Sequence, residues 1–317
     1  HWIPRLKNRN DNPSPQICEL LASYFRDEPS RYGQNDQAAH RWINIRLQSR
    51  QMVKLELSGL GFQPDEQSKV DELINRPHGL VLVTGPTGSG KTTTLYTCLS
   101  KINKPDTKII TIEDPVEYWM DDILQMQVHE EIGFDFARAL RSMLRHDPDV
   151  MLIGEIRDRE TADITIRSAL TGHLVFATLH TNDSASAVSR LLDIGIEPFL
   201  AASSISGVIA QRLVRKICPN CKQPVEADEL NDVSESWTGK GCEACRYTGC
   251  KGRSVIAEIL PVSSAVRTMI QQREPADRIK EQAVREGMNT LRNSALQAVK
   301  EGRISVAEML RVTHGDI

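Results

Sequence analysis

From about Pro64 the chain alternates between short apolar runs and longer stretches in which apolar residues recur at helical spacing. The runs within Gly79–Thr84, Lys108–Glu113, Val150–Gly154 and Leu174–Thr178 show no polar face, as strands buried on both sides of a parallel sheet do. Between them, Asp135–Leu144 and Arg159–Leu170 have helical period. Ser263–Arg273, Ala276–Glu286, Thr290–Lys300 and Ser305–Val312 predict four more short helices, with Gly287 and Gly302 placed to end two of them. This alternation predicts an α/β domain whose ligands sit at the carboxyl ends of its strands. Residues 1–60 are mixed: a short helix within Pro13–Phe25, a turn-rich stretch from Asp27 to Ala39, and one or two strands between Trp42 and Leu57.

The polar positions that interrupt the pattern carry the chemistry. Gly85-Pro86-Thr87-Gly88-Ser89-Gly90-Lys91-Thr92 is a complete G-x-x-x-x-G-K-[ST] loop, set between the run Leu80–Val83 and a helix predicted from Thr92 onward, with Thr93 next in line. Its glycines let successive N–H groups turn inward around phosphates. Lys91 can bridge the β- and γ-phosphates, the Thr92 hydroxyl can complete a Mg²⁺ shell, and the helix dipole faces the same anion. A bound nucleoside triphosphate is therefore expected. Asp149-Val-Met-Leu-Ile-Gly-Glu155 ends a strand on Glu155, a carboxylate able to polarise the attacking water or hold Mg²⁺ through one. A second cluster, Glu113-Asp114-Pro115-Val-Glu117, follows the preceding strand, where Pro115 stops pairing. His180, beside Thr181 and Asn182, is read as a γ-phosphate sensor, with His173 the weaker candidate.

Composition narrows the field. With 26% charged and 40% apolar residues the 317-residue chain reads as a soluble globular protein of two domains, or one large core with an appendage. A net charge of −3, aromatics at 5% and no basic stripe interleaved with aromatics argue against a nucleic-acid partner. No apolar stretch approaches the roughly 18 residues of a membrane span and no signal pattern opens the chain, so the cytoplasm is the expected location. Cys18 and Cys98 stand alone as ordinary thiols. Cys218, Cys221, Cys242 and Cys245 form two C-x-x-C knuckles separated by about twenty residues, a spacing suited to tetrahedral Zn²⁺, with two redox or disulfide pairs as the alternative. Cys250 is left as a fifth, non-ligating thiol. The intervening stretch carries Glu226, Asp228, Glu229, Asp232 and Glu235 and cannot build a core, so the metal is expected to staple a small lobe that serves as a docking surface.

The ordered boxes GPTGSGKTTTLY, TIEDPVE, DPDVMLIGEIRD, TGHLVFATLHTND and QRLVRKICPNC resemble the secretion ATPase superfamily over residues 64–313. The tetracysteine insertion resembles its type II secretion and type IV pilus-assembly branch. The resemblance implies a RecA-like P-loop core, a homo-hexameric ring, and ATP hydrolysis with Mg²⁺ that drives assembly of pilin or pseudopilin subunits. It implies as partners an inner-membrane platform protein and associated secretion or pilus components, through which the motor would sit at the cytoplasmic face of the inner membrane. It also implies Glu155 as general base, Glu113 as a second catalytic carboxylate, His180 as sensor, and Gln211 and Arg212 near the nucleotide. Arg141, Arg145 and Arg157 are candidates for a charge-stabilising finger. The expected division is an N-terminal region over 1–61 (a partial or truncated α+β domain and linker), the ATPase core over 62–216, the zinc lobe over 217–252 and a helical region over 253–317. Only Ile43–Gly61 resembles the end of the family's preceding domain, and Cys250 stands where the branch pattern T-G-Y-x-G-R has Tyr. Two other classes share the loop and acids: a helicase-like nucleic-acid motor, and a scaffold that binds nucleotide without hydrolysing it.

Overall fold

A computed structural model describes residues 56–225 and 236–313, all within one compact unit that spans residues 48–317. The elements expected before Leu57, Cys18, and the acidic stretch 226–235 lie outside the described residues. Two short helices come first, α1 (Leu57–Leu60) and α2 (Pro64–Ile74). Strands β1 (Gly79–Thr84), β2 (Ile109–Glu113), β4 (Val150–Ile153) and β5 (Leu174–Leu179) form where the apolar runs predict them. Each is buried along its whole length. Three further members of the main sheet are β3 (Leu124–Gln127), β6 (Ile205–Ile217) and β9 (Cys250–Pro261). The order is β3-β2-β4-β5-β1-β6-β9, parallel throughout except for β9, which runs antiparallel to β6. Residues 250–261, divided between lobe and helical region on sequence grounds, are thus an edge strand of the motor sheet.

Alternating side chains of β1 show why the run is apolar on both faces. Leu80 and Leu82 pack with α4 (Phe136–Met143), α5 (Arg159–Leu170) and α6 (Ser184–Asp193). Val81 and Val83 pack with α1, α2 and α3 (Lys91–Ile102) on the other face. Helices α4, α5 and α6 start on side-chain caps: the carboxylates of Asp135, Asp158 and Asp183 accept the N–H groups of Arg138, Thr161 and Ser186. The remaining helices are α7 (Pro198–Ser204), α8 (Ser264–Gln271), α9 (Ala276–Arg285), α10 (Leu291–Lys300) and α11 (Val306–Thr313). The last four match the predicted set, with Gly287 and Gly302 in the left-handed region just after α9 and α10.

The last helix is tied to β6 by charge. Glu308 is 3% exposed and accepts from the Arg215 N–H at 2.8 Å, from Arg215 Nη2 at 2.7 Å and from Arg311 Nη2 at 2.7 Å. Burial alone would raise its pKa; the bonds from Arg311 and Arg215 outweigh it and hold the carboxyl at about 2. A depressed carboxyl contributes stability that is present above its unfolded value and is lost as pH falls toward 2. Both arginines are partly solvated, so the contribution is about 1–3 kcal/mol. Glu308→Gln is expected to remove that amount at pH 7 and to flatten the dependence of stability on pH between about 4.5 and 2, as read by denaturant unfolding at stepped pH.

Candidate nucleotide site and zinc lobe

Parallel register brings the candidate residues to one edge. Thr84, the last residue of β1, lies opposite Leu179 of β5 and Ala210 of β6, so Gly85 and His180 leave the sheet side by side, next to Gln211, which stays within β6 and pairs with Ala257 of β9. The turn is pinned at both ends. Thr84 Oγ1 lies 2.7 Å from Thr181 Oγ1 and accepts the Thr181 N–H at 3.0 Å. Gln211, fully buried, donates from Nε2 to the Ser89 carbonyl at 2.9 Å. At Gly85 (φ +145°) a Cβ would come 2.5 Å from the Gln211 carbonyl, so no other residue fits where the loop crosses β6.

Residues 85–90 wrap the start of α3, whose first residue is Lys91. Its ammonium donates to the carbonyls of Gly85 at 2.7 Å and Pro86 at 3.2 Å, closing the loop on itself. Burial lowers the Lys91 pKa, with the charge of Glu155 opposing and that of Arg212 adding to the shift. A partly desolvated cation resting on two carbonyls is well suited to exchange them for phosphate oxygens. The buried Ser89 hydroxyl and the Gln211 amide oxygen have no hydrogen-bond partner among the described residues, and the hydroxyl lies in the loop itself. These features fit a triphosphate. Thr92 and Thr93, next on the first turn of α3, are only partly exposed.

Glu155 follows β4 after Gly154, whose N–H donates to the Ile112 carbonyl at 2.7 Å. One Glu155 oxygen lies 3.2 Å from His180 Nε2; the other accepts from Arg157 Nε at 2.7 Å. The structure therefore joins Glu155 and His180, and the Glu155 charge acts on Lys91. Of the three arginines considered as fingers, Arg157 touches this acid, whereas Arg141 pairs with Glu160 on the surface. Arg212 donates to the Asn182 carbonyl at 2.8 Å and lines the cleft beside residues 86–89.

Glu113 sits elsewhere than its strand-end position suggests. It is 4% exposed, and its oxygens accept from Thr111 Oγ1 at 2.6 Å, Gln125 Nε2 at 3.1 Å and the Tyr96 hydroxyl. Burial raises its pKa against those three bonds. Strand alternation places Thr111 and Glu113 on the face covered by α3, where Tyr96 waits. The acid exposed at this edge is Asp114, 3.8 Å from Arg157 Nη1. His173 lies at the amino end of β5, its Nδ1 against the Ser168 carbonyl, at the opposite end of the strands from the loop. Asp149 also belongs to that end, where it accepts the Lys108 N–H at 2.7 Å.

The four knuckle cysteines converge, with all Sγ atoms within 4.8 Å of one another. Separations of 3.8 Å (Cys218–Cys242 and Cys242–Cys245) and 3.9 Å (Cys221–Cys245) match the edge of a tetrahedron with about 2.3 Å Zn–S bonds. N–H groups of Gly241 and Cys242 point at the sulfurs of Cys221 and Cys245, as thiolate ligands require. Cys250 lies outside the cluster, paired with Ile217 in the β6–β9 ladder. The hairpin β7 (Lys222–Val225) and β8 (Ser236–Gly239) extends from the knuckles, with Lys222 Nζ 4.6 Å from the centre of the Trp237 ring. It seats against Gly302, where a Cβ would lie 2.8 Å from the Trp237 ring.

A phosphate loop after an interior strand of a mostly parallel sheet, with Glu155 and His180 at the same edge, defines a P-loop NTPase of RecA-like fold. Residues 29–311 match the family described as Type II/IV secretion system protein. The chain belongs to that family. It is 48% identical over 271 residues to the type II secretion system protein HxcR of Pseudomonas aeruginosa, covering 86% of this chain and 56% of that one. It is 45% identical over 286 residues to the type IV pilus assembly ATPase PilB of Myxococcus xanthus, covering 86% and 50%. The solved pilus retraction motor PilT with bound ADP superposes with a TM-score of 0.65 at 32% identity, covering 83% of this chain and 68% of that chain. The chain thus spans little more than half the length of the curated relatives it matches. No helix among the described residues is long and apolar enough to cross a membrane.

Metal analysis of the purified chain is expected to find about one zinc, and Cys221→Ser to release it. That variant should loosen residues 217–247 to proteolysis while nucleotide binding survives.

Proposed function

We propose that this chain is the ATP-hydrolysing part of a secretion or pilus-assembly motor. The observation that carries the reading is the convergence of Lys91, Glu155 and His180 at the carboxyl edge of one sheet. ATP enters with its phosphates inside residues 85–92, Lys91 exchanges the Gly85 and Pro86 carbonyls for phosphate oxygens, and Thr92 supplies the hydroxyl for Mg²⁺. The magnesium ion neutralises charge on the phosphates when bound. Glu155 orients a water and takes its proton, while His180, held against the same carboxylate, positions that water against the γ-phosphate. Arg157 holds Glu155 in place. Glu113 acts as a positioning residue, locking the end of β2 through Tyr96, Thr111 and Gln125 so that Asp114 faces Arg157.

The relatives named type II secretion system protein and type IV pilus assembly ATPase support ATP as the fuel and pilin or pseudopilin assembly as the work. A homo-hexamer acting on an inner-membrane platform protein, at the cytoplasmic face of that membrane, belongs to the same proposal. Cys218, Cys221, Cys242 and Cys245 hold Zn²⁺ as a closed structural site, and the lobe so formed is the docking surface for the platform.

Lys91→Ala is expected to abolish ATP binding without unfolding the chain, because its ammonium contacts only loop carbonyls. Glu155→Gln should still bind ATP, with turnover down by about 10²-fold or more in a phosphate-release assay. Near-normal turnover by Lys91→Ala would overturn the motor reading. Rapid hydrolysis by Glu155→Gln would move the base to another carboxylate.

A further inference from the structure

The cleft outside the phosphate loop has a second wall that the mechanism leaves unused. Residues 86–89 form one side; Arg212 and Leu213 of β6 and Arg311 and Val312 of α11 form the other. Leu213 and Val312 are partly buried apolar side chains facing a polar loop. Arg311 spends its charge on Glu308, donating from Nε at 3.0 Å and from Nη2 at 2.7 Å, yet half of its side chain stays exposed. A guanidinium neutralised in this way is a poor partner for a further anion. Its flat face suits a planar, uncharged ring. The phosphate charge already has Lys91.

We infer that Arg311, with Val312 and Leu213, forms the nucleobase wall of the ATP site, so that the last helix of the chain contacts the nucleotide directly. This rests on the proposed binding of ATP at residues 85–92. The buried Glu308 is the positioning residue: it accepts two hydrogen bonds from the Arg311 fork and so fixes the plane of the guanidinium at the cleft.

Inorganic tripolyphosphate fills the loop and lacks the base, so it separates the two halves of the site. Binding of Mg-ATP and Mg-tripolyphosphate is measured by calorimetry for the unaltered chain and for Arg311→Met, Val312→Ser and Arg215→Met. Arg215→Met removes a Glu308 partner of equal rank that does not line the cleft, and so controls for loss of the ion pair. The expected result is an ATP affinity lower by about five- to tenfold in Arg311→Met and about threefold in Val312→Ser. Tripolyphosphate binding should stay within about twofold in every variant, as should ATP binding by Arg215→Met. Equal losses for both ligands, an equal effect of Arg215→Met, or no effect of Arg311→Met and Val312→Ser would overturn the nucleobase wall. Should Arg311→Met fail to fold, Val312→Ser decides alone. If the unaltered chain binds neither ligand, the nucleotide site falls, and the wall with it; binding of both without discrimination by the variants sinks only the wall.

Discussion

The register of β1 between β5 and β6 is the constraint on which the site depends. Side chains on a strand alternate between faces, so a slip of one residue on either neighbour would exchange the two cores and move His180 or Gln211 away from the loop. Register is held by apolar fit: Leu80 and Leu82 match one layer of helices, Val81 and Val83 the other. The Thr84–Thr181 pair and the Gln211 amide then fasten the loop to strands on both sides of β1. The site is rigid because its polar anchors sit on elements whose position is already settled by burial.

Against that frame of buried apolar contacts, the charges are arranged so that one stays available. Glu308 is satisfied by two arginines, and Glu258, fully buried, accepts the Ser184 and Leu291 N–H groups at 3.0 and 3.2 Å. Glu113 is closed in by three donors. Lys91, among the described residues, donates to the carbonyls of Gly85 and Pro86 in its own loop, neutral acceptors that phosphate oxygens outcompete. Glu155 lies between His180 and Arg157 at a position open to water. Stability and reactivity thus divide along the strands, with closed ion pairs behind the cleft and exchangeable ones in it.

Much of this arrangement is legible in the sequence where burial leaves a periodic trace. The runs of β1, β2, β4 and β5 end within about one residue of their expected limits because both faces are apolar. The four-cysteine cluster is legible because the spacing of two C-x-x-C knuckles is local to the chain. β3 leaves no such trace: Leu124 is half exposed while Gln125 turns inward to serve Glu113, inverting the usual polarity of an edge strand. β6 merges at its start with α7 and carries polar residues in its second half. Glu113 turns away from the strand edge because its partners Tyr96, on the sheet-facing side of α3, and Gln125 of β3 draw it into the layer between sheet and helix, a tertiary contact that no strand pattern encodes. Arg311 and Val312 reach the cleft only through the tertiary path of the last helix, which no local pattern encodes.

The most direct test is a crystal structure of the Glu155→Gln chain with Mg-ATP. The account predicts the γ-phosphate between the Lys91 ammonium and the residue-155 and His180 side chains, with Lys91 released from the Gly85 and Pro86 carbonyls and the Gln211–Ser89 bond intact. A nucleotide seated elsewhere, or a Lys91 still bound to its loop carbonyls beneath an ordered triphosphate, would contradict it.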